Sequence, residues 1–306
     1  MASRKTRLTL MKVLSLFSVV RGYNILVIVV AQYLSAIFIL DKERRALDVL
    51  LDWDLFLIVL ASALTIASGY IINSFYDAKK DLINRPKKSM LDRLVSQGTK
   101  LQVYFALNFM VVFLAFLVSW KAFVFFSVYI FLIWFYSHKL KKYPVIGNLT
   151  AALLAVLPFF GILMYFKNFY QVIFAHATFL YLLILIRELI KDLENIPGDL
   201  VNNYRTIPVM FGEKTSKKII IALTVLTVIP VYLLIDVFDV GYMDIYFYAG
   251  MIVIIYFLGK LWAANTQKEY LLLHNLLKLL IVAGVFSIVL IDPEVLVHGR
   301  KLLALL

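Results

Sequence analysis

Long apolar runs separated by short polar stretches dominate the pattern along this chain. Nine runs stand out: Leu14–Leu40, Leu55–Ile72, Leu101–Trp120, Ala122–Tyr136, Val145–Phe166, Val172–Ile186, Ile219–Ile235, Ile245–Leu261 and Leu271–Leu290. A helix that crosses a bilayer needs roughly 20 predominantly apolar residues, and most of these runs approach or exceed that length. The apolar residues come in blocks rather than in strict alternation, which argues against a transmembrane β-barrel. The pattern therefore predicts an all-α, multi-pass membrane protein of about nine transmembrane helices, forming one domain over residues 1–306. The third and fourth runs abut at Trp120–Lys121, where a tight turn is expected. The sixth run is short and is expected to continue helically into the polar segment after it. The first is too long for the roughly 7–15-residue core of a cleaved signal peptide and is read as a helix of the mature chain.

Composition and charge agree with this reading and add a direction. Of 306 residues, 63% are hydrophobic and 16% charged, with a mean hydropathy of +0.89; a typical soluble domain carries roughly 25% charged residues. An ordinary soluble enzyme, a disordered chain and a fibrous protein are excluded. Of the 31 Lys and Arg residues, 24 fall on one side of the alternating spans; the other side has Lys42, Arg44, Arg45, Lys121, Lys167, Arg300 and Lys301. Basic loops face the cytosol, so the N-terminus is expected inside a cell (inner) membrane and the C-terminus on the opposite side. The net charge of +12 then belongs to contacts with membrane lipid, not to a nucleic acid. With no cysteine in the chain, disulfides, thiolate metal sites and a cysteine nucleophile are ruled out. His138, His176, His274 and His298 show no paired spacing that suggests metal ligands.

Acidic residues at membrane helix ends need a reason, and two segments on the 24-cation side carry them in register. Asn73, Asp77 and Asp81 are spaced i, i+4, i+8 and fall within roughly 80° of one another on a helix. Glu188, Asp192, Asn195 and Asp199 are spaced i, i+4, i+7, i+11, although Pro197 and Gly198 are expected to end the helix and leave Asp199 on a loop. Two oxygen-rich faces opposed across a cavity suit a hard divalent cation, and Mg²⁺ commonly shares such ligands with substrate phosphates. A diphosphate bridged by Mg²⁺ is the implied ligand, in a central cavity open to the cytoplasmic side. Two other readings stand beside it. The acids are solvated helix ends paired with Lys79, Lys80, Lys191 and Arg187, or they line the ion path of a cation-coupled transporter, although such sites usually lie near the bilayer midplane.

These residues resemble the UbiA superfamily of intramembrane prenyltransferases. Asn73, Asp77 and Asp81 match that family's Asn-xxx-Asp-xxx-Asp, and Asn84-Arg85-Pro86 resembles the Asn-Arg-Pro that closes its first loop. Arg21-Gly-Tyr-Asn24 is similar to its Arg-Pro-x-Asn, with Gly22 where proline is usual. Tyr136-Ser-His-Lys-Leu-Lys141-Lys142, followed by Gly147-Asn148, resembles the stretch after the fourth span. Lys191–Asp199 resembles Lys-Asp-Ile-Glu-Asp-x-x-Gly-Asp, with Asn195 where the family often has aspartate, and Tyr204-Arg205-Thr206-Ile-Pro208 resembles the loop that follows.

The resemblance implies a Mg²⁺-dependent prenyltransferase that takes an isoprenyl diphosphate donor and a lipophilic acceptor. The Gly-Asp ending of the second motif is most like the geranylgeranylglycerol-phosphate geranylgeranyltransferase branch. Prenylation of an aromatic quinone precursor such as 4-hydroxybenzoate or dihydroxynaphthoate is the alternative. Carried over, Asn73, Asp77, Asp81, Asp192, Asn195 and Asp199 form the metal-ligand set, with Asp77, Asp81, Asp192, Lys141 and Tyr136 in the reaction itself. Asn73, Arg21, Asn24, Arg85, Lys142, Arg205 and Glu188 are substrate-binding candidates. Tyr70, Phe75 and Tyr76 are aromatic faces for an allylic cation, and Lys139 is a further cation for an acceptor phosphate. Prenyl chain length, oligomeric state and the identity of the base are open at this point.

Overall fold

The computed structural model describes Met11 and residues 15–293, without the side chains of Lys87, Lys88 and Leu91. Leu14, the basic residues before it, His298, Arg300 and Lys301 lie outside the described residues. Among the described residues the chain is helical with no strand, and nine helices are long and apolar enough to cross a membrane. These spans are Gly22–Leu40, Trp53–Tyr76, Gln97–Val118, Trp120–Lys142, Ile146–Phe166, Gln171–Glu194, Ile207–Val237, Gly241–Ala263 and Gln267–Ile291.

The second and sixth spans are the most enclosed. The second starts at Asp52, whose carboxylate accepts from Leu55 N at 3.0 Å and is held by Arg44 at 2.9 Å and the Tyr165 hydroxyl at 2.9 Å. Its buried positions include Ala61, Ser62, Thr65 and Ser68, small residues that let neighbouring helices come close. Their hydroxyls do not go unpaired in hydrocarbon: Thr65 donates to Ala61 O at 2.7 Å and Ser68 to Thr65 O at 2.9 Å. The third and fourth spans form the periphery, where Phe105, Phe109, Phe113, Phe116, Trp120 and Phe131 are exposed, as suits rings facing lipid.

Several boundaries differ from the sequence expectation, each for a local reason. The first run is interrupted: Arg21 takes a left-handed conformation (φ 51°, ψ 54°), and a Cβ on Gly22 would stand 2.2 Å from the Phe17 ring. The turn between the third and fourth spans falls at Ser119, whose hydroxyl caps the next helix by accepting from Ala122 N at 3.1 Å. The sixth span runs on past Ile186 to Glu194, as expected. Asp199, expected on a loop, lies instead in a second short helix, Ile196–Val201, which starts after a break at Asn195 and carries Pro197 in its first turn, where proline costs no hydrogen bond. The segment of the seventh span begins at Ile207, well before the apolar run, where Pro208 again supports a helix start, and its backbone leaves helical geometry at Gly212 (φ 80°, ψ 166°) before the main helix. The polar residues of that first part earn their burial by capping: Lys217 Nζ donates to Ala264 O at 2.5 Å at the end of the eighth span.

The fifth span contains Pro158, which removes the hydrogen bond that Leu154 O would otherwise accept. The Tyr129 hydroxyl of the fourth span supplies it at 2.8 Å, and Gln32 of the first span donates to Pro158 O at 2.9 Å and to Ser62 at 3.2 Å. Side chains from two other helices thus satisfy an irregular backbone in a place where water cannot.

At the end of the bundle that carries the acidic motifs, the short helices Ala78–Asn84 and Ile196–Val201 pack together. Gly198 N donates to Asn84 Oδ1 at 3.0 Å, and a Cβ on Gly198 would lie 2.3–2.6 Å from the Asn84 amide.

Two stability outcomes follow from this packing. Tyr129→Phe keeps the ring and strands the Leu154 carbonyl, so thermal or denaturant unfolding in detergent is expected to show a loss of about 1–3 kcal/mol; an unchanged midpoint would refute the account of the kink. Gly198→Ala is expected to cost about 1–3 kcal/mol by overpacking. Most of that cost should return in the double variant with Asn84→Ala, as a double-mutant cycle would show.

Candidate active site

A cavity of about 1470 Å³, its open mouth included, lies between the first, second, fourth, fifth and sixth spans at the motif end. Arg21, Asn73, Asp77, Asp81, Arg85, Tyr136, Lys141, Glu188, Asp192 and Asn195 all line it. Its deeper wall is apolar, formed by Ile28, Ile66, Ile133, Leu154, Ala155 and Pro158, so the kinked fifth span shapes its floor.

The first motif forms one wall. The second span ends at Tyr76, and Asp77 (φ −88°, ψ 3°) links it to the helix Ala78–Asn84 with little change of direction, which keeps Asn73, Asp77 and Asp81 on the cavity. Lys141 arrives from the end of the fourth span. Its Nζ lies 2.7 Å from Asp77 Oδ1 and donates to Asn73 Oδ1 at 3.0 Å. The Tyr204 hydroxyl donates to the same Asp77 Oδ1 at 2.9 Å. Burial alone would raise the Asp77 carboxyl, but the charges of Lys141 and Lys80, with the hydrogen bonds from Lys141 and Tyr204, hold it below the ordinary carboxylate range.

The second motif forms the facing wall. Asp192 accepts from Asn148 Nδ2 at 2.7 Å and, among the described residues, has no ion-pair partner. The neighbouring acids are all matched with cations. Glu188 meets Lys191 at 2.5 Å and Arg187 at 3.2 Å. Glu194 meets Arg85 at 2.9 Å and has His274 at 3.2 Å. Asp199, fully buried and outside the lining, pairs with Lys80 and accepts from Thr206 at 3.3 Å. Burial would lower the Lys80 ammonium, but Asp199 and Asp77 outweigh it and hold Lys80 above the usual lysine range. Asn195 spends its side-chain nitrogen on Lys191 O at 2.7 Å, closing the end of the sixth span.

Asn148 reaches Asp192 through a strained turn. Val145 has φ 62° and ψ −62°, and Ile146 N bonds back to Pro144 O at 2.6 Å, a γ-turn that a β-branched residue adopts only under constraint. It reverses the chain directly after Lys141 and Lys142 and starts the fifth span with Gly147 and Asn148 turned to the cavity.

Other residues singled out in the sequence stand at the edge. Asn24 donates to the Tyr70 hydroxyl at 3.2 Å and lies outside the lining, whereas Tyr70 is in it. Lys139, Lys142 and Arg205 are exposed and outside the lining. Phe75 and Tyr76 face a separate groove between the second, third and fourth spans. Sequence reasoning assigned no role to Tyr204, Asn148 or Glu194, and gave Lys80 only as a cation that pairs with the acids, although each lies within a motif or beside one. Glu188 finds its cations on its own helix, at the spacing the sequence offered, but the partners of Asp77, Asp192, Glu194 and Asp199 come from other elements, and spacing carries no sign of them.

The donors on both walls are carboxylate and amide oxygens, the chemistry that hard cations take. Among the described residues no three acids or histidines stand close enough to share an ion; Lys141 and Lys80 pair with the acids, so the local charge is balanced by ammonium groups.

Comparison with known proteins agrees with this arrangement. The model of the UbiA prenyltransferase family matches residues 43–280. A digeranylgeranylglyceryl phosphate synthase of Thermococcus sibiricus is 31% identical over 242 residues, covering 76% of this chain and 83% of the relative. The protein of the same name from Methanobrevibacter smithii is 26% identical over 266 residues, covering 82% and 88%. Among solved structures, a UbiA homologue from Archaeoglobus fulgidus bound to DMAPP and Mg²⁺ superposes with a TM-score of 0.62 at 17% identity, covering 90% of this chain and 99% of that one. A structure concerned with digeranylgeranylglyceryl phosphate synthase gives 0.69 at 21% identity, covering 92% and 98%. At these identities the superpositions speak for the fold. The family match spans most of the chain and includes both acidic motifs, and on that ground the chain belongs to the UbiA prenyltransferase family.

Proposed function

We propose that this prenyltransferase moves an isoprenyl group from an isoprenyl diphosphate to the hydroxyl of geranylgeranylglyceryl phosphate in a Mg²⁺-dependent reaction. The whole chain would act as one domain, with the cavity and the N-terminus on the cytoplasmic side of the cell membrane, as the 24-to-seven distribution of Lys and Arg supports. The curated relatives named above support the acceptor.

The observation that supports an anionic acceptor is Arg21. It lines the same cavity as the acids, its guanidinium carbon 5.1 Å from the centre of the Tyr70 ring, and among the described residues it has no carboxylate partner. A cation with no carboxylate partner suits an acceptor that carries its own anionic group, which in this reading is the phosphate of geranylgeranylglyceryl phosphate.

In this reading Asn73, Asp77 and Asp81 hold Mg²⁺ from one wall and Asp192 from the other, with Asn195 and Asp199 behind them. Bound there, the metal neutralises charge that builds on the departing diphosphate. Lys141, Lys80 and Arg85 contact diphosphate oxygens, and Tyr136 donates a hydrogen bond beside them. The apolar floor keeps water from the allylic cation, and the Tyr70 ring faces it. The acceptor hydroxyl forms the new C–O bond, and its proton passes to a carboxylate of the second motif.

The test is an assay of the purified protein in nanodiscs with radiolabelled geranylgeranyl diphosphate and three acceptors: geranylgeranylglyceryl phosphate, 4-hydroxybenzoate and dihydroxynaphthoate. Product is expected with the first, and it should vanish with EDTA and in Asp77→Ala. Arg21→Gln is expected to raise the acceptor KM by about tenfold or more, the value of one charge-assisted hydrogen bond, with the donor KM little changed. Product with an aromatic acceptor only would overturn the acceptor assignment, and activity that survives EDTA would overturn the metal dependence.

A further inference from the structure

Tyr204 lies on the short connection between the helix Ile196–Val201 and the seventh span, and it is only 5% exposed. The backbone around it is pinned from both sides. Asn203 takes a positive φ of 55°, Tyr204 N donates to Asp199 O at 2.9 Å, and Arg205 N donates to Lys142 O at 2.9 Å. The ring therefore has little freedom, and it points into the cavity lining. Its hydroxyl and the Lys141 ammonium both act on Asp77 Oδ1, at 2.9 and 2.7 Å. Two donors on one oxygen fix how the carboxylate is rotated. Three ammonium groups also gather around this one ring: Lys80 at 4.7 Å, Lys142 at 5.9 Å and Lys141 at 6.0 Å from its centre. Lys80 and Lys141 line the cavity and Lys142 is exposed beside it; like charges brought this close repel one another, and the negative face of an aromatic ring offsets that repulsion.

We propose that Tyr204 is a positioning residue for the transfer reaction: its hydroxyl sets the orientation in which Asp77 receives the metal, and its ring holds Lys80, Lys141 and Lys142 together for the diphosphate. This rests on the reading that Asp77 and these lysines serve a metal diphosphate. The two halves separate by substitution. Tyr204→Phe removes the hydroxyl and keeps the ring, whereas Tyr204→Leu removes both.

The measurement is binding, independent of turnover. Mn²⁺, in place of Mg²⁺, is titrated by electron paramagnetic resonance into the protein with an unreactive geranylgeranyl thiolodiphosphate, and the analogue alone is titrated without metal. Tyr204→Phe is expected to weaken Mn²⁺ binding about tenfold, as loss of a residue that orients a metal ligand does, with metal-free analogue binding within about twofold of wild type. Tyr204→Leu is expected to weaken both, the analogue at least about fivefold, roughly what one solvent-exposed cation–π contact contributes. Thermal unfolding of Tyr204→Phe should match wild type, which a purely structural role would not allow alongside the metal defect. Wild-type Mn²⁺ affinity in Tyr204→Phe would overturn the proposal, as would undiminished analogue binding in Tyr204→Leu. Absence of Mn²⁺ binding by the wild type itself would instead overturn the metal reading, and the inference with it.

Discussion

Charge held in a medium of low dielectric constant is the constraint on which the motif end of this protein depends. Six acids, Asp77, Asp81, Glu188, Asp192, Glu194 and Asp199, sit at or near the ends of helices that also cross hydrocarbon. An isolated buried carboxylate is costly. Asp77, Glu188, Glu194 and Asp199 are met by cations, and the pairs Asp77–Lys141, Asp199–Lys80 and Glu194–Arg85 each join residues from different elements. These pairs do not extend one helix; they determine how separate helices converge. The first loop is tied to the second acidic motif by Arg85 and Asn84, and the basic end of the fourth span is tied to the first motif by Lys141.

A second constraint acts deeper in the bundle. Backbone that departs from the helix must find partners inside the protein, and three such departures border the cavity. Pro158 lines its floor and is supported by Tyr129 and Gln32. Val145 turns the chain so that Asn148 meets Asp192. Arg21, in its left-handed conformation, stands at the cavity over Tyr70. The same irregularities that open a space between the spans also aim polar groups into it, so fold and site are one set of compromises.

The lysines link this geometry to the proposed chemistry. An ammonium paired with a carboxylate offsets its charge, and in the proposed reading the same ammonium would contact diphosphate oxygens when a divalent ion is held among the acids. Asp192 stands apart, with a neutral amide rather than a cation as its partner.

The sequence by itself determined the membrane character, the number of spans and the two acidic rows, because each depends on local periodicity: apolar blocks of bilayer length, and oxygens spaced at one helical turn. Asn73, Asp77 and Asp81 were legible for that reason, and so was the continuation of the sixth span to Glu194. The placement of Asp199 on a second helix was not, since Pro197 and Gly198 read equally well as an end or as a new beginning, and packing against Asn84 decided it. Only the tertiary structure decided that Arg21 belongs to the cavity while Lys142 and Arg205 stand at its rim, that Phe75 and Tyr76 face another groove, and that Tyr204 joins Asp77 to three lysines. Partners drawn from spans far apart in sequence leave no period to read, and which of them meet is settled by the energetics of burying charge where helices converge.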